Sequence, residues 1–294
     1  MKPFALAREF GRCVSGGVAR DIRARVEALE DFDSVPGSGY DVFGASRETL
    51  AGIMPVVYFF YKFYFRTVVH GIENVAALPR GLIIPNHMVQ LPVDGMNICS
   101  ALFFEPQKPR LVRAVGHYLL AKSPFMSIVF SRTGQVIGSN ENADRLFAGD
   151  NLVLIFPEGA EAIRPYFSPS RYRLTDFNVG FMEYAIRYGY PVVPTAVIGS
   201  EESVMILGDS APLSKLFGLP HFGLTPTFPW LGPLGGFPYP VRFRIWFGEP
   251  MDFSAHADRL DDPEGIRLLV EEVRDRVQEM LDRHRAKLTP LSFL

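Results

Sequence analysis

A chain of 294 residues with 48% hydrophobic content holds enough apolar material for one large domain, or one domain with an appended helical piece. Its formal net charge of -2 gives no electrostatic support for a nucleic-acid partner. Cys13 and Cys99 lie far apart and form no CxxC pair, which argues for reduced thiols and against a disulfide framework or a zinc site; no metal is expected.

The first thirty residues read as one helix, with cations at Arg12, Arg20, Arg23 and Arg25. The early charges Glu9, Arg12 and Arg20 interrupt any continuous apolar core, so the segment does not read as a secretory signal. A Gly/Pro/Ser linker spans 34–40, and a second helix is expected from Ser46 to about Phe65, where Ser46 to Thr49 offers a capping pattern and Pro55 a kink. The far end of that helix is aromatic on nearly every face and ends in Lys62 and Arg66. Two readings fit it: an interfacial helix with its tyrosines and cations near lipid headgroups, or a helix buried against its own domain. The cations arrive too early for a membrane span, which needs roughly 20 apolar residues.

From residue 80 the pattern alternates. Residues 81–85, 110–115, 135–137, 151–156, 191–198 and 241–247 read as strands, and 94–103, 117–130, 141–148 and 178–188 as helices. That alternation predicts an α/β domain with a mostly parallel central sheet flanked by helices, residues 67–294, preceded by an N-terminal helical membrane-docking segment, residues 1–66. The uncharged stretch 216–241 carries six prolines from Pro220 to Pro240, so it cannot be a regular spanning helix. Two readings fit it, a segment that lines an acyl channel or dips into lipid and a long connection packed over the sheet, with packing and some lipid contact favoured. A closing helix from about Pro263 places Ile266, Leu269, Val270, Val273, Val277, Met280 and Leu281 on one face, an ordinary core stripe.

Two strand ends carry chemistry. After 81–85 come Asn86 and His87, with Asp94 opening the next helix. A histidine can take a proton from a hydroxyl, and a carboxylate can fix its tautomer and stabilise the imidazolium. Taken alone, Asp94 is equally a helix cap and His87 a satisfied loop residue. After 151–156 the strand breaks at Pro157 and presents Glu158, with Gly159 allowing close backbone approach.

In combination these blocks resemble the glycerolipid acyltransferases, the lysophospholipid and diacylglycerol acyltransferase-like superfamily. Asn86-His87 to Asp94 resembles its first block, residues 134–142 from Gly134 through Asn140 the second, Phe156-Pro157-Glu158-Gly159 the third, and residues 191–202 around Pro194 the fourth. The order agrees over about residues 65–250. The resemblance implies an O-acyltransferase in which His87 deprotonates an acceptor hydroxyl and Asp94 orients His87. It also implies that Asn86, Gly134, Asn140, Phe156, Pro157, Glu158, Gly159, Arg164 and Pro194 line the substrate site. The thioester of coenzyme A or acyl carrier protein would be co-substrate, with no bound cofactor, and the partner would be membrane lipid on the cytoplasmic face, met as a peripheral or monotopic protein.

Three departures stand out. Six residues rather than four separate His87 from Asp94, with Pro92 between them, so the dyad requires residues 91–93 to bulge outward; relatives near the diacylglycerol acyltransferase branch show a lengthened spacing. Glu161 stands where phosphate-acceptor members carry Arg, and Asn140 where the second block often ends in Arg. Losing two cations and adding a carboxylate disfavours a phosphate-bearing acceptor and favours a mono- or diacylglycerol, although Arg164, Arg171 and Arg173 could substitute. The rivals are a hydrolase, which lacks its Gly-x-Ser-x-Gly elbow here, and a non-catalytic lipid-binding protein that retains the fold. Neither Gly-x-Gly-x-x-Gly nor a P-loop is present, which disfavours a nucleotide enzyme.

Overall fold

The structure, a computed structural model, describes residues 3–32, 34–87, 92–117, 124–159, 165–217 and 222–293. The N-terminal thirty residues form two helices, α1 (Pro3–Ser15) and α2 (Gly17–Glu27), instead of the single helix expected. The break falls at Gly16, whose backbone is extended and where a Cβ would meet the Arg12 carbonyl oxygen at 2.8 Å. The next helix, α3 (Arg47–Phe59), starts at Ser46, whose Oγ accepts the Thr49 amide at 3.3 Å. It continues into a π-helical turn (Phe60–Tyr64), closed by the Phe65 amide donating to the Phe60 carbonyl at 2.8 Å. Phe59, Tyr61 and Phe65 are buried, and the Tyr61 hydroxyl donates to Glu105 at 2.9 Å. For these three aromatics, packing against their own domain is the arrangement found.

The elements that follow are β1 (Val68–His70), α4 (Glu73–Ala76), β2 (Gly81–Pro85), α5 (Val93–Phe104), β3 (Val112–Gly116), α6 (Pro124–Arg132), β4 (Val136–Ile137) and α7 (Asn140–Ala148). Then come β5 (Leu152–Leu154), α8 (Gly180–Tyr188), β6 (Val192–Ile198), α9 (Ser200–Ser203), β7 (Gly208–Asp209), α10 (Ala211–Phe217), β8 (Gly223–Leu224), β9 (Arg244–Phe247) and α11 (Pro263–Arg285). Among the described residues, no helix is long and apolar enough to cross a membrane.

The chain folds into two compact units, each assembled from separated stretches. The first takes Met1–Thr67, Ile72–Ile83 and Gly95–Ile155. Its strands run parallel, with β5 between β2 and β3, and β4 beyond β3. Ile22, Val26, Leu29, Leu50, Met54 and Phe103 form its apolar cluster, and Arg25 donates to the Phe103 carbonyl at 2.9 Å, serving the open end of α5. Arg113 of β3, fully buried, pairs with buried Asp41 at 2.6 Å, while the other oxygen of Asp41 accepts the amides of Phe43 and Ala45.

The second unit takes Val68–Gly71, Ile84–Asp94 and Phe156–Leu294. Here β1 runs parallel to β9, and β9 runs antiparallel to β6. All seven residues of β6 are buried, and the apolar stripe of α11 packs on that strand through Val277, Met280 and Leu281. Together the strands make a mostly parallel central sheet flanked by helices.

Candidate active site

Three strands deliver the residues that the motifs single out. β2 is five buried residues ending at Pro85, so the chain leaves the sheet with Asn86 and His87. β5 ends at Leu154, just before Phe156-Pro157-Glu158-Gly159, and Pro194 is buried within β6, where its carbonyl accepts the Gly248 amide at 2.8 Å. Asn86, His87, Asp94, Phe156, Pro157, Glu158, Gly159 and Pro194 all belong to the second unit.

The His87 imidazole meets the Asp94 carboxylate, with Nδ1 and Oδ2 2.6 Å apart. Asp94 sits in the first turn of α5 and is fully buried, while the His87 side chain keeps 20% exposure. Six intervening residues therefore still return the carboxylate to the ring. Of the expected bulge, residues 91–93, Leu91 lies outside the described residues, while Pro92 is in a turn and Val93 opens α5. Burial pulls the His87 pKa down, but the charge and hydrogen bond of Asp94, with the charge of Glu158, outweigh it and raise the pKa above the ordinary histidine value. Phe156 packs beside the imidazole, ring centroids 4.3 Å apart.

The surrounding polar groups are committed to holding backbone. Asn86 is buried and works like an extra residue of strand, its Nδ2 donating to the Val197 carbonyl (3.0 Å) and its Oδ1 accepting the Val197 amide (2.7 Å). Glu158 is buried too. Its Oε1 accepts the His87 amide at 3.1 Å, and its Oε2 accepts both the Thr175 amide (2.9 Å) and the Thr175 hydroxyl (3.0 Å). Gly159 takes the left-handed conformation at φ +60 as the chain turns, and Asn178 donates its backbone and side-chain N–H to the Pro157 carbonyl at 3.1 and 3.0 Å.

Gly134 and Asn140 belong to the first unit. Gly134 has φ +86, and its carbonyl accepts from Arg113 at 3.3 Å. Asn140 opens α7 behind Ser139, whose hydroxyl accepts the Asn142 amide at 3.2 Å. Arg164 and Glu161 lie outside the described residues.

A sequence model of the family described as Acyltransferase matches residues 66–198, which contain the whole His87–Asp94–Glu158 arrangement. An uncharacterized protein of Mycobacterium tuberculosis is 36% identical over 246 residues, covering 83% of this chain and 68% of its own length. A second, from Mycobacterium leprae, is 35% identical over 233 residues, covering 79% of this chain and 63% of its own. The chain carries an acyltransferase-family domain over residues 66–198. In fold it is similar to the 1-acyl-sn-glycerophosphate acyltransferase PlsC of Thermotoga maritima, with a TM-score of 0.51, 17% identity and 97% of each chain covered.

Motif reading missed two residues of this arrangement. Thr175 supplies two of the donors that fix Glu158, and Asn178, which the sequence placed at a helix start but which precedes α8, fixes Pro157; neither lies in a motif block. A second buried cluster holds the fourth block. Arg171 donates to Glu201 at 3.0 Å and also pairs with Glu202. The Tyr172 amide donates to Glu201 (2.6 Å), its hydroxyl donates to Glu202 (2.5 Å), and that hydroxyl accepts the Gly199 amide (2.9 Å). Arg171, which the sequence offered as a replacement phosphate cation, is thus engaged by two carboxylates.

Proposed function

We propose that this acyltransferase carries a fatty acyl group from a coenzyme A or acyl carrier protein thioester to a hydroxyl of a glycerolipid acceptor, at the cytoplasmic face of a membrane. The observation that carries the reading is the 2.6 Å contact between His87 and a fully buried Asp94. A carboxylate on Nδ1 selects the tautomer that holds its proton there, leaving the Nε2 lone pair as the base. Nε2 takes the acceptor's hydroxyl proton as the oxygen attacks the thioester carbonyl. The C–S bond then breaks, and the proton passes from the imidazolium to the departing thiolate. Asp94 stabilises the imidazolium between these steps, and no acyl-enzyme is needed.

Within this reading, Glu158 and Asn86 act by holding the His87 backbone and the strand end behind it. Glu161 and Asn140, standing where phosphate-acceptor members carry cations, together with the two carboxylates on Arg171, favour a neutral acceptor such as mono- or diacylglycerol.

The test is transfer from labelled oleoyl-coenzyme A, with an acyl carrier protein donor as a second arm. The acceptors are lysophosphatidate, other lysophospholipids, monoacylglycerol and diacylglycerol. His87→Ala is expected to lower the rate by about 10²–10⁴. A preference for lysophosphatidate would overturn the neutral-acceptor reading and leave the chemistry intact. Absence of transfer from either donor would overturn the enzyme reading in favour of a lipid-binding protein.

A further inference from the structure

The proline-rich stretch of the second unit ends in a turn whose apolar side chains face outward. Trp230 is 85% exposed, Leu231 56% and Leu234 71%, all within five residues, and Phe237 follows at 47%. Leaving such side chains in water forgoes the stabilisation that burial normally gives them, and a cluster of this kind marks an interaction surface.

Three properties of the turn specify its partner. First, its backbone is closed on itself. The amides of Leu231, Gly232, Leu234 and Phe237 donate to the carbonyls of Thr227, Pro229, Leu231 and Leu234, and the hydroxyls of Thr225 and Thr227 both donate to the Gly235 carbonyl at 2.5 and 2.9 Å. Pro226, Pro229 and Pro233 contribute no N–H at all. Each backbone group paired in this way avoids the several kcal/mol that a bare group costs in an apolar medium. Second, the turn is preformed: a Cβ on Gly235 would lie 2.8 Å from the Phe228 amide nitrogen, so the two arms pack backbone to backbone. Third, the chain on either side of it is basic, although Asp209 also approaches through its bond to the Phe222 amide. From Ser210 to Gly248 the sequence holds Lys215, Arg242 and Arg244 and neither Asp nor Glu. Tryptophan and leucine at the apex with cations on the flanks suit the headgroup–acyl boundary of a bilayer that contains anionic lipid.

We propose that the turn from Pro229 to Phe237 is a membrane-insertion tip that seats Trp230, Leu231 and Leu234 in the interfacial layer of an anionic bilayer. This rests on the acyl-transfer reading, which requires a lipid surface, and adds a contact beyond the N-terminal segment, residues 1–66, that the sequence offered for docking.

The experiment uses the full chain, flotation with phosphatidylcholine vesicles with and without phosphatidylglycerol, and acyl transfer to a short-chain acceptor soluble as monomer. Wild type is expected to float with the anionic vesicles, less so at high salt. Its tryptophan emission should shift to the blue and be quenched by brominated lipid. Trp230→Phe should remove that response, since Trp246 is stacked between the rings of His70 and His284. The double substitution Leu231→Glu/Leu234→Glu should lower vesicle partition by about tenfold or more while the far-UV spectrum and short-chain transfer stay as in wild type. His87→Ala should do the opposite, losing transfer and keeping partition, so each reading can fail without the other. Unchanged partition in the double variant, or a vesicle-induced emission shift that survives Trp230→Phe, would overturn the proposal. It would likewise be overturned by self-association in sedimentation velocity that the double variant abolishes without affecting vesicle binding, which would make the occupant a second copy of the chain.

Discussion

The ionisation of His87 is a contest between burial, which favours the neutral ring, and Asp94, whose charge and hydrogen bond favour the imidazolium and prevail with help from Glu158. A general base works only when neutral, so activity should rise with pH through a midpoint above the usual histidine range. Asp94→Asn removes the prevailing influence and leaves burial in command. The midpoint in kcat/KM should therefore move to lower pH while the plateau falls by about 10²–10⁴, because the tautomer and the imidazolium lose their partner. A pH–rate profile of the two proteins checks both shifts. Glu158 offers a different experiment, since its carboxylate accepts three hydrogen bonds from partly buried donors. Glu158→Ala orphans them and should cost about 2–4 kcal/mol in urea unfolding, at roughly 1–3 kcal/mol for each donor not rescued by water. Glu158→Gln, which can still accept on one side, should lose less.

Among the elements, buried strands were the most legible. β2 and β6 are fully buried, mainly apolar runs that a pattern reading finds almost to the residue. β1 escaped notice because it is three residues long with its first and last side chains exposed, an edge strand without a hydrophobic signature. The break between α1 and α2 escaped because apolar residues recur at helical spacing across it, and only the crowding at Gly16 reveals it. The His87–Asp94 contact was legible because motif and helix start coincide. The Glu158–Thr175 contact was not, because a loop contact leaves no periodicity. The Arg171–Tyr172–Glu201–Glu202 cluster likewise joins residues some thirty positions apart, and it carries a pH signature. Burial, with Glu202 adding to it, pushes Glu201 up to about 7 against the pull of the Tyr172 amide and Arg171. The folded protein then holds a proton that the unfolded chain has already released, so stability declines as pH rises from the ordinary carboxylate range towards about 7. Glu201→Gln should flatten that decline in urea titrations across the same window. Some slope should remain, because burial raises Glu202 as well.

For the molecule as a whole, the threading of the chain matters more than the number of strands. Ile84–Asp94, which carries both His87 and Asp94, is bounded by Gly81–Ile83 on one side and by the stretch from Gly95 on the other, and both flanks belong to the first unit. The segment that carries His87 and Asp94 is therefore continuous at both ends with chain of the first unit, whose most deeply buried ion pair among the described residues is Arg113–Asp41. Replacing Arg113 by Met would leave the Asp41 carboxylate without its cation, a change that typically costs about 3–5 kcal/mol. The expected result is a lowered urea midpoint, with acyl transfer disappearing in step with it, although Arg113 is not part of the second unit. Loss of stability with transfer retained well past the unfolding transition would contradict that coupling.

The clamp on Asn86 has one more consequence, and it concerns time. An asparagine ages by deamidation, in which the backbone nitrogen of the next residue attacks the side-chain carbonyl carbon and closes a five-membered imide. Here that nitrogen belongs to His87 and is occupied in donating to Glu158, while both ends of the Asn86 amide are fastened to Val197. Neither the attacking atom nor its target can swing into position while the fold persists. The hydrogen bonds that hold the His87 backbone thus also preserve the residue beside it, and in an unfolded chain that protection is gone.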